Sequence, residues 1–208
     1  MAGRIKISAC YNDLNKELYS LIRLDQSNQS RSNLSTRQLH LLTEGIFLSA
    51  FRAYENYLEE TFLLYTLEKK TLSGSKPRSY LKPKNFNHSR DLIRSSMPFL
   101  DWSSPVTLID RAETYLEGGE PIKSTIASAR NDLMNMKTLR NQIAHNSVES
   151  RPKYIKLLRD IYSTNPLKIP APGELLLTGV RNSSPREHYL SYYINKILTV
   201  GQKIAYGR

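Results

Sequence analysis

The sequence predicts an all-α protein, a helical bundle with irregular basic loops between its helices. In several stretches apolar residues recur at three- and four-residue steps, the pattern of amphipathic helices that pack against one another. Strand-like alternation is confined to Arg4–Ile7, which is too short to form part of a sheet. A chain of 208 residues can bury a sizeable core, so we expect one domain over residues 1–208.

The N-terminal part is predicted to hold a short helix and a long one. Leucines at helical spacing place the first helix over residues 11–24, and the polar residues 25–35 predict a loop. Ser35 or Thr36 then begins the longest helix, which runs to about Lys70. At about 1.5 Å per residue this helix extends roughly 50 Å, enough to form the spine of the bundle.

Residues 71–87 interrupt the helical pattern with serine, glycine and proline. The segment interleaves basic with aromatic residues, a combination that holds single-stranded nucleic acid by charge and stacking. A flexible, exposed connection is the alternative interpretation. The candidate RNA-binding residues are Lys76, Arg78, Tyr80, Lys82 and Lys84.

The rest of the chain is predicted to be mostly helical. Trp102, in a proline-bounded turn, is expected to pack in the core. The strongest stripe runs from Ile122 to Ile143 and predicts a single helix, with Pro121 in its first turn. The other predicted elements are short helices at 89–96 and 106–116, an amphipathic turn at 154–161, a small strand or buried coil at 174–178, and a closing helix at 185–206.

Positive charge is concentrated in two segments of the chain. The formal net charge is +11 and the isoelectric point is near 9.7, a level that suggests a nucleic-acid partner. Residues 69–94 carry a net charge of +7 and residues 137–208 one of +8, so the remainder sums to −4. Lysines scattered for solubility alone would not give this distribution.

The composition also bears on the compartment. A single cysteine, Cys10, excludes an internal disulfide and favours a reducing environment. The chain has no apolar run long enough to span a membrane and no N-terminal signal layout. We expect a cytoplasmic protein without a membrane partner, and an inert Cys10.

The most distinctive motif lies at the end of the Ile122–Ile143 stripe. Arg140 occupies a stripe position that an apolar residue would normally fill, so its charge needs a partner or a ligand. Asn141 and His145 follow, one turn apart on a neighbouring face. A cation, an amide and an imidazole at one helix end predict a phosphate site.

Arg140-Asn141-x-x-Ala144-His145 resembles the signature of the HEPN ribonucleases, specifically the RiboL-PSP-HEPN branch. The upstream helix over 44–60 strengthens the resemblance, which covers residues 35–208, most clearly from about Leu39, and leaves 1–34 as an N-terminal helix and polar loop. The resemblance implies a HEPN-like helical bundle, an endoribonuclease activity and a homodimer. It also favours Glu55 over Glu44 as the carboxylate that reaches Arg140.

The motif residues suit metal-independent, cofactor-free cleavage of RNA, in which the 2′-hydroxyl is the nucleophile. His145 exchanges a proton with the 2′-hydroxyl or the leaving 5′-oxygen, Arg140 stabilises the phosphoryl charge, and Asn141 orients the phosphate or the imidazole. Arg140 and His145 lie about 140° apart around an ideal helix, so one copy does not easily aim both at one atom. Two motifs facing each other across a two-fold axis would remove that difficulty.

Three alternatives stay open on sequence. In the first, the motif is only a helix end, with Arg140 paired to Glu44 or Glu55 and His145 near the helix C-terminus. In the second, the chain is a non-catalytic RNA-binding or dimerising HEPN module of a larger defence or repair assembly. In the third, it is a toxin held inactive by an antitoxin. Some HEPN toxins carry a modifiable tyrosine two residues after the histidine, where this chain has Ser147.

Overall fold

The computed structural model describes residues 6–31, 33–95, 100–164, 167–181 and 187–208. Strand-type pairing among these residues is limited to two isolated bridges, Ser79–Leu116 and Gly179–His188. The predicted all-α class is therefore confirmed. The helices are α1 (Ile7–Gln29), α2 (Thr36–Thr66), α3 (Phe86–Arg94), α4 (Pro105–Tyr115), α5 (Ile122–Ser128), α6 (Arg130–His145), α7 (Ser150–Tyr162), α8 (Pro172–Leu177) and α9 (Tyr189–Tyr206), with a 3₁₀ turn at Glu117–Gly119.

The long helix α2 is the spine of the bundle, as the sequence predicts. Ser35 caps it reciprocally with Gln38: the Ser35 hydroxyl accepts from the Gln38 amide nitrogen at 3.3 Å, and Gln38 Oε1 accepts from the Ser35 amide nitrogen at 2.9 Å. The helix contacts α1, α3, α6, α8 and α9. It ends before the predicted Lys70, and Glu68 just beyond it has a φ of 55°, which a helix does not continue through.

The first helix is longer than predicted, because residues 25–29 continue α1 rather than forming a loop. Asp25 and Asn28 are buried, and Gln29 Nε2 donates to Asp25 Oδ2 at 2.7 Å across one helical turn. A local side-chain bond of this kind lets polar residues extend a helix.

Near the N-terminal end of α1, burial raises the pKa of the Cys10 thiol to about 12, which agrees with an inert cysteine.

Two predictions for the C-terminal half are wrong. The Ile122–Ile143 stripe is divided at Ala129 into α5 and α6. The hydroxyls of Thr125 and Ser128 donate to carbonyls three and four residues earlier, bonds that compete with a straight helical ladder. Residues 174–178 belong mostly to α8, which begins with Pro172 in its first turn, rather than to a strand or coil.

The other predicted elements agree with the structure within a few residues, except that residue 96, the end of the predicted 89–96 helix, lies outside the described residues. The amphipathic turn at 154–161 is part of a full helix, α7, and the closing helix begins at Tyr189; residues 182–186, where its predicted start falls, lie outside the described residues. Trp102 is buried, with its ring centroid 5.4 Å from that of Phe62. Among the described helices, none is both long and apolar enough to cross a membrane.

Candidate active site

Helix α6 carries the predicted motif on its last two turns. Leu133, Met136 and Leu139 are fully buried and hold the helix against the core. Asn146 ends the helix in the left-handed conformation, and its amide nitrogen donates to the Gln142 carbonyl at 3.0 Å. The position of the last helical residue, His145, is therefore determined on both sides.

Buried Gln142 ties this helix end to the next helix. Its Nε2 donates to Asn146 Oδ1 at 2.8 Å, and its Oε1 accepts from the Ser150 hydroxyl at 2.8 Å. The same hydroxyl accepts from the Ser147 amide nitrogen at 3.0 Å. This network fixes the corner between α6 and α7. In the sequence, only the spacing of these polar residues could have indicated the network.

The side chains of Arg140, Asn141 and His145 meet in a single chain. Arg140 Nη1 donates to Asn141 Oδ1 at 3.2 Å and lies 3.2 Å from His145 Nε2. The 140° between the two Cα positions therefore does not keep these side chains apart. The angle between two Cα positions limits short side chains, whereas an arginine is long enough to reach around the helix.

The contact between Arg140 and His145 is a hydrogen bond in only one tautomer of the imidazole. A guanidinium has donors but no acceptor, so such a bond requires Nε2 of His145 to accept, with the ring proton on Nδ1. His145 is exposed and Arg140 is half-buried. The imidazole is open to solvent, and the lone pair on its Nε2 is covered by Arg140.

A cavity of about 540 Å³ opens beside the motif, between α2, α6 and the segment before α4. Both signs of charge line it, which distinguishes it from an apolar ligand pocket. Its polar lining includes Glu55, Asn56, Asp101, Lys137, Arg140 and Asn141.

Glu55, the carboxylate favoured to reach Arg140, lines this cavity together with it, and the two form no ion pair within the described part of the chain. Burial raises the pKa of the Glu55 carboxyl, and Arg140 acts to lower it. Glu44 is engaged elsewhere, because its Oε1 accepts from the Gly173 amide nitrogen at 2.8 Å. The alternative in which Arg140 is neutralised by Glu44 or Glu55 is not what the structure shows.

Two cavity residues have roles that the sequence did not indicate. Lys137 Nζ lies 2.7 Å from Asp101 Oδ2, and the Ser103 hydroxyl donates to Asp101 Oδ1 at 2.6 Å. Burial alone would raise the pKa of Asp101, but the hydrogen bonds from Lys137 and Ser103 lower it. Lys137 precedes Arg140 by one helical turn, a spacing from which its place in the site could have been predicted. Asp101 lies in a loop, and no sequence pattern indicates that it reaches the site.

The basic residues of the 71–87 segment lie apart from this cavity, and three of them pair with carboxylates outside the segment. Glu68 Oε2 lies 2.9 Å from Lys76 Nζ, Glu68 Oε1 lies 3.5 Å from Lys82 Nζ, and Arg78 pairs with Glu117 at 3.6 Å. Hydrogen bonds from Lys76 and the Ser79 amide lower the pKa of Glu68 to about 2.

Tyr80 is 62 % exposed, and Lys84 is exposed as well. The loop is nevertheless anchored to the rest of the fold, because the Tyr80 amide nitrogen donates to the Tyr115 carbonyl at 3.0 Å. None of the five candidate RNA-binding residues is among those that line the motif cavity in the described structure.

Comparisons of the chain with protein-family models, with curated proteins and with solved structures gave no match. Among the described residues, no three His, Cys, Asp or Glu side chains are grouped as a metal site would require.

Proposed function

We propose that this chain is a HEPN-type endoribonuclease that cleaves RNA through attack of the 2′-hydroxyl on the adjacent phosphate. The observation that carries the proposal is the meeting of Arg140, Asn141 and His145 at the exposed end of α6, with Arg140 Nη1 3.2 Å from His145 Nε2. In the described structure neither the guanidinium nor the imidazole has a carboxylate partner within ion-pair distance. A phosphate is the anion that suits such a pair.

The chemistry follows from the contacts. A bound phosphate draws the Arg140 guanidinium away from His145, which frees Nε2 to accept the proton of the 2′-hydroxyl. The 2′-oxygen then bonds to phosphorus while Arg140 stabilises the charge on the phosphoryl oxygens. The bond from phosphorus to the 5′-oxygen breaks, and the products are a 2′,3′-cyclic phosphate and a 5′-hydroxyl.

The leaving 5′-oxygen must also receive a proton. Each described chain has a single imidazole at this site, and a second copy facing the first supplies another in its protonated form. The HEPN resemblance implies this homodimer. Glu55 lines the same cavity as Arg140, and in the proposal the attraction between its carboxylate and the guanidinium helps to orient Arg140.

Substitution of the motif tests this function. Wild type is expected to cleave single-stranded RNA, and His145→Ala and Arg140→Ala each to lose at least about a hundredfold in rate, the range of a lost proton-transfer or charge-stabilising group. Lys16→Gln, at an exposed lysine of α1, is the control for handling and contamination. Equal cleavage by wild type and His145→Ala would refute the catalytic role.

The covered Nε2 of His145 favours a second candidate, a non-catalytic RNA-binding HEPN module of a defence or repair assembly. Such a module binds RNA with strong salt dependence and releases no cleavage products. A toxin held by an antitoxin is the related biological setting, in which expression of wild type, but not of Arg140→Ala, arrests growth.

A further inference from the structure

A second groove, which we name the α6–α7 groove, lies along a neighbouring face of the motif helix. It has a volume of about 540 Å³ and runs between α6 and α7. Both polar amides and basic side chains face it. Its polar lining consists of Asn131, Asn135, Thr138, Lys153, Lys156 and Asp160.

The geometry of α6 connects this groove to the motif. Thr138, Asn141 and His145 recur at three- and four-residue steps, so they share one ridge of the helix. Thr138 lines the α6–α7 groove and Asn141 lines the cavity beside Arg140, so the ridge borders both. His145 lies roughly 10 Å beyond Thr138 along the helix axis, so a strand bound in the groove and continuing along the ridge reaches the imidazole.

The cations of the groove are available to a ligand. Lys153 and Lys156 are exposed, and neither forms an ion pair with a carboxylate within the described residues. In the loop over 76–84, by contrast, Lys76 and Lys82 are paired with Glu68. A phosphate that binds a paired lysine must first compete with the carboxylate, whereas an unpaired lysine carries no such penalty.

The other lining residues suit a nucleotide chain better than a simple anion. Asn131 and Asn135 offer amide donors and acceptors to bases and ribose hydroxyls. Met134, 39 % exposed, offers an apolar contact for a base or sugar. Asp160 is the one lining group that opposes a phosphate chain by its charge.

We propose that the α6–α7 groove holds the single-stranded RNA that flanks the scissile phosphate, with Lys153 and Lys156 on its phosphates. This assignment rests on the proposed function for the identity of the strand, and it moves the principal RNA contact away from the 76–84 loop. Two lysine–phosphate contacts with single-stranded RNA contribute about 1.4 to the slope of log affinity against log salt concentration. Removal of both lysines is therefore expected to lower the affinity roughly 25-fold at 0.1 M salt.

The test is the binding of a fluorescent 20-nucleotide RNA of mixed sequence to the full chain, measured from 0.05 to 0.3 M salt. All proteins carry His145→Ala, so that cleavage does not disturb the equilibrium. Lys153→Gln/Lys156→Gln is expected to bind about 25-fold more weakly at 0.1 M salt, with a salt slope shallower by about 1.4. Asp160→Asn is expected to bind more tightly, because it removes the opposing charge.

Two further variants make the result specific. Lys16→Gln/Lys203→Gln removes the same charge from exposed positions on α1 and α9 and controls for the net charge. Lys76→Gln/Lys82→Gln tests the loop. The proposal is overturned if the loop pair or the control pair weakens binding as much as the groove pair, if the groove pair leaves the slope unchanged, or if the RNA does not bind. Cleavage by the otherwise wild-type chain is scored separately, so loss of the nuclease proposal and loss of the groove proposal are different results.

Discussion

Arg140 lies on the side of α6 that otherwise faces the core, with buried Met136 one turn before it and half-buried Ile143 one turn after it. Its charged head nevertheless ends beside Asn141 and His145. A long basic side chain can lay its apolar stem against the core and extend its head toward solvent. The position that looked wrong for packing is thus compatible with a stable helix and keeps a guanidinium available for an anion.

Glu55 leads to a prediction on stability and pH. Burial raises the pKa of its carboxyl above the ordinary 4.5, Asp101 acts in the same direction, and Arg140 and Lys137 oppose it. The folded chain therefore binds this proton more tightly than the unfolded chain, and stability is lost as the pH rises from 4.5 through the raised pKa. We expect Glu55→Gln to have a higher Tm than wild type at neutral pH, with the difference vanishing in acid.

Thermal unfolding followed by circular dichroism across this pH range measures the effect. Glu17→Gln, at an exposed position of α1, is the matched control and is expected to leave the profile unchanged. A lower Tm for Glu55→Gln at neutral pH would mean that the attraction between Glu55 and Arg140 outweighs the cost of burying the carboxylate, the reverse of what we expect.

At the level of elements, α8 depends on a close approach of two backbones. A Cβ built on Gly173 would lie 2.5 Å from the carbonyl oxygen of His40 on α2. Backbone atoms cannot move aside as a side-chain end can, so Gly173→Ala is expected to lower the free energy of unfolding by about 1–3 kcal/mol. Chemical denaturation of wild type and variant measures this difference in the free energy of unfolding.

Gly45 on α2 is the matched control for this substitution. A Cβ there would meet no atom within 4 Å, so Gly45→Ala is expected to raise the free energy of unfolding by up to about 1 kcal/mol through helix propensity. If Gly173→Ala did not lower the free energy of unfolding relative to Gly45→Ala, the close approach of α8 to α2 would be contradicted.

The sequence predicted elements well where local signals agreed. The cap at Ser35 and the long stripe after it located α2, whereas α8 was missed because a six-residue helix has too few residues to show a period. The site followed the same rule. Arg140, Asn141 and His145 are close in sequence and were predicted together, while Asp101 reaches the cavity only through tertiary packing, for which a single sequence holds no signal.

At the scale of the whole molecule, the proposed reaction makes the oligomeric state a prediction. In that reaction the imidazole of one copy would accept the 2′-hydroxyl proton, and the imidazole of the facing copy would supply the proton to the leaving 5′-oxygen. The rate per chain is therefore expected to fall as the protein is diluted below its dimer dissociation constant, with the mass followed by sedimentation. Full activity from a monomer at every concentration would contradict the shared site.

The central claim is that a guanidinium and an imidazole at the end of α6 act on a phosphodiester whose own 2′-hydroxyl is the nucleophile. The most direct measurement is the mass of the fragments produced from one oligonucleotide made as RNA and as its 2′-deoxy counterpart. We expect wild type to cleave only the RNA and to produce 2′,3′-cyclic phosphate and 5′-hydroxyl ends. We expect His145→Ala to cleave neither strand. Cleavage of the deoxy strand, or 5′-phosphate ends on the RNA fragments, would contradict the claim.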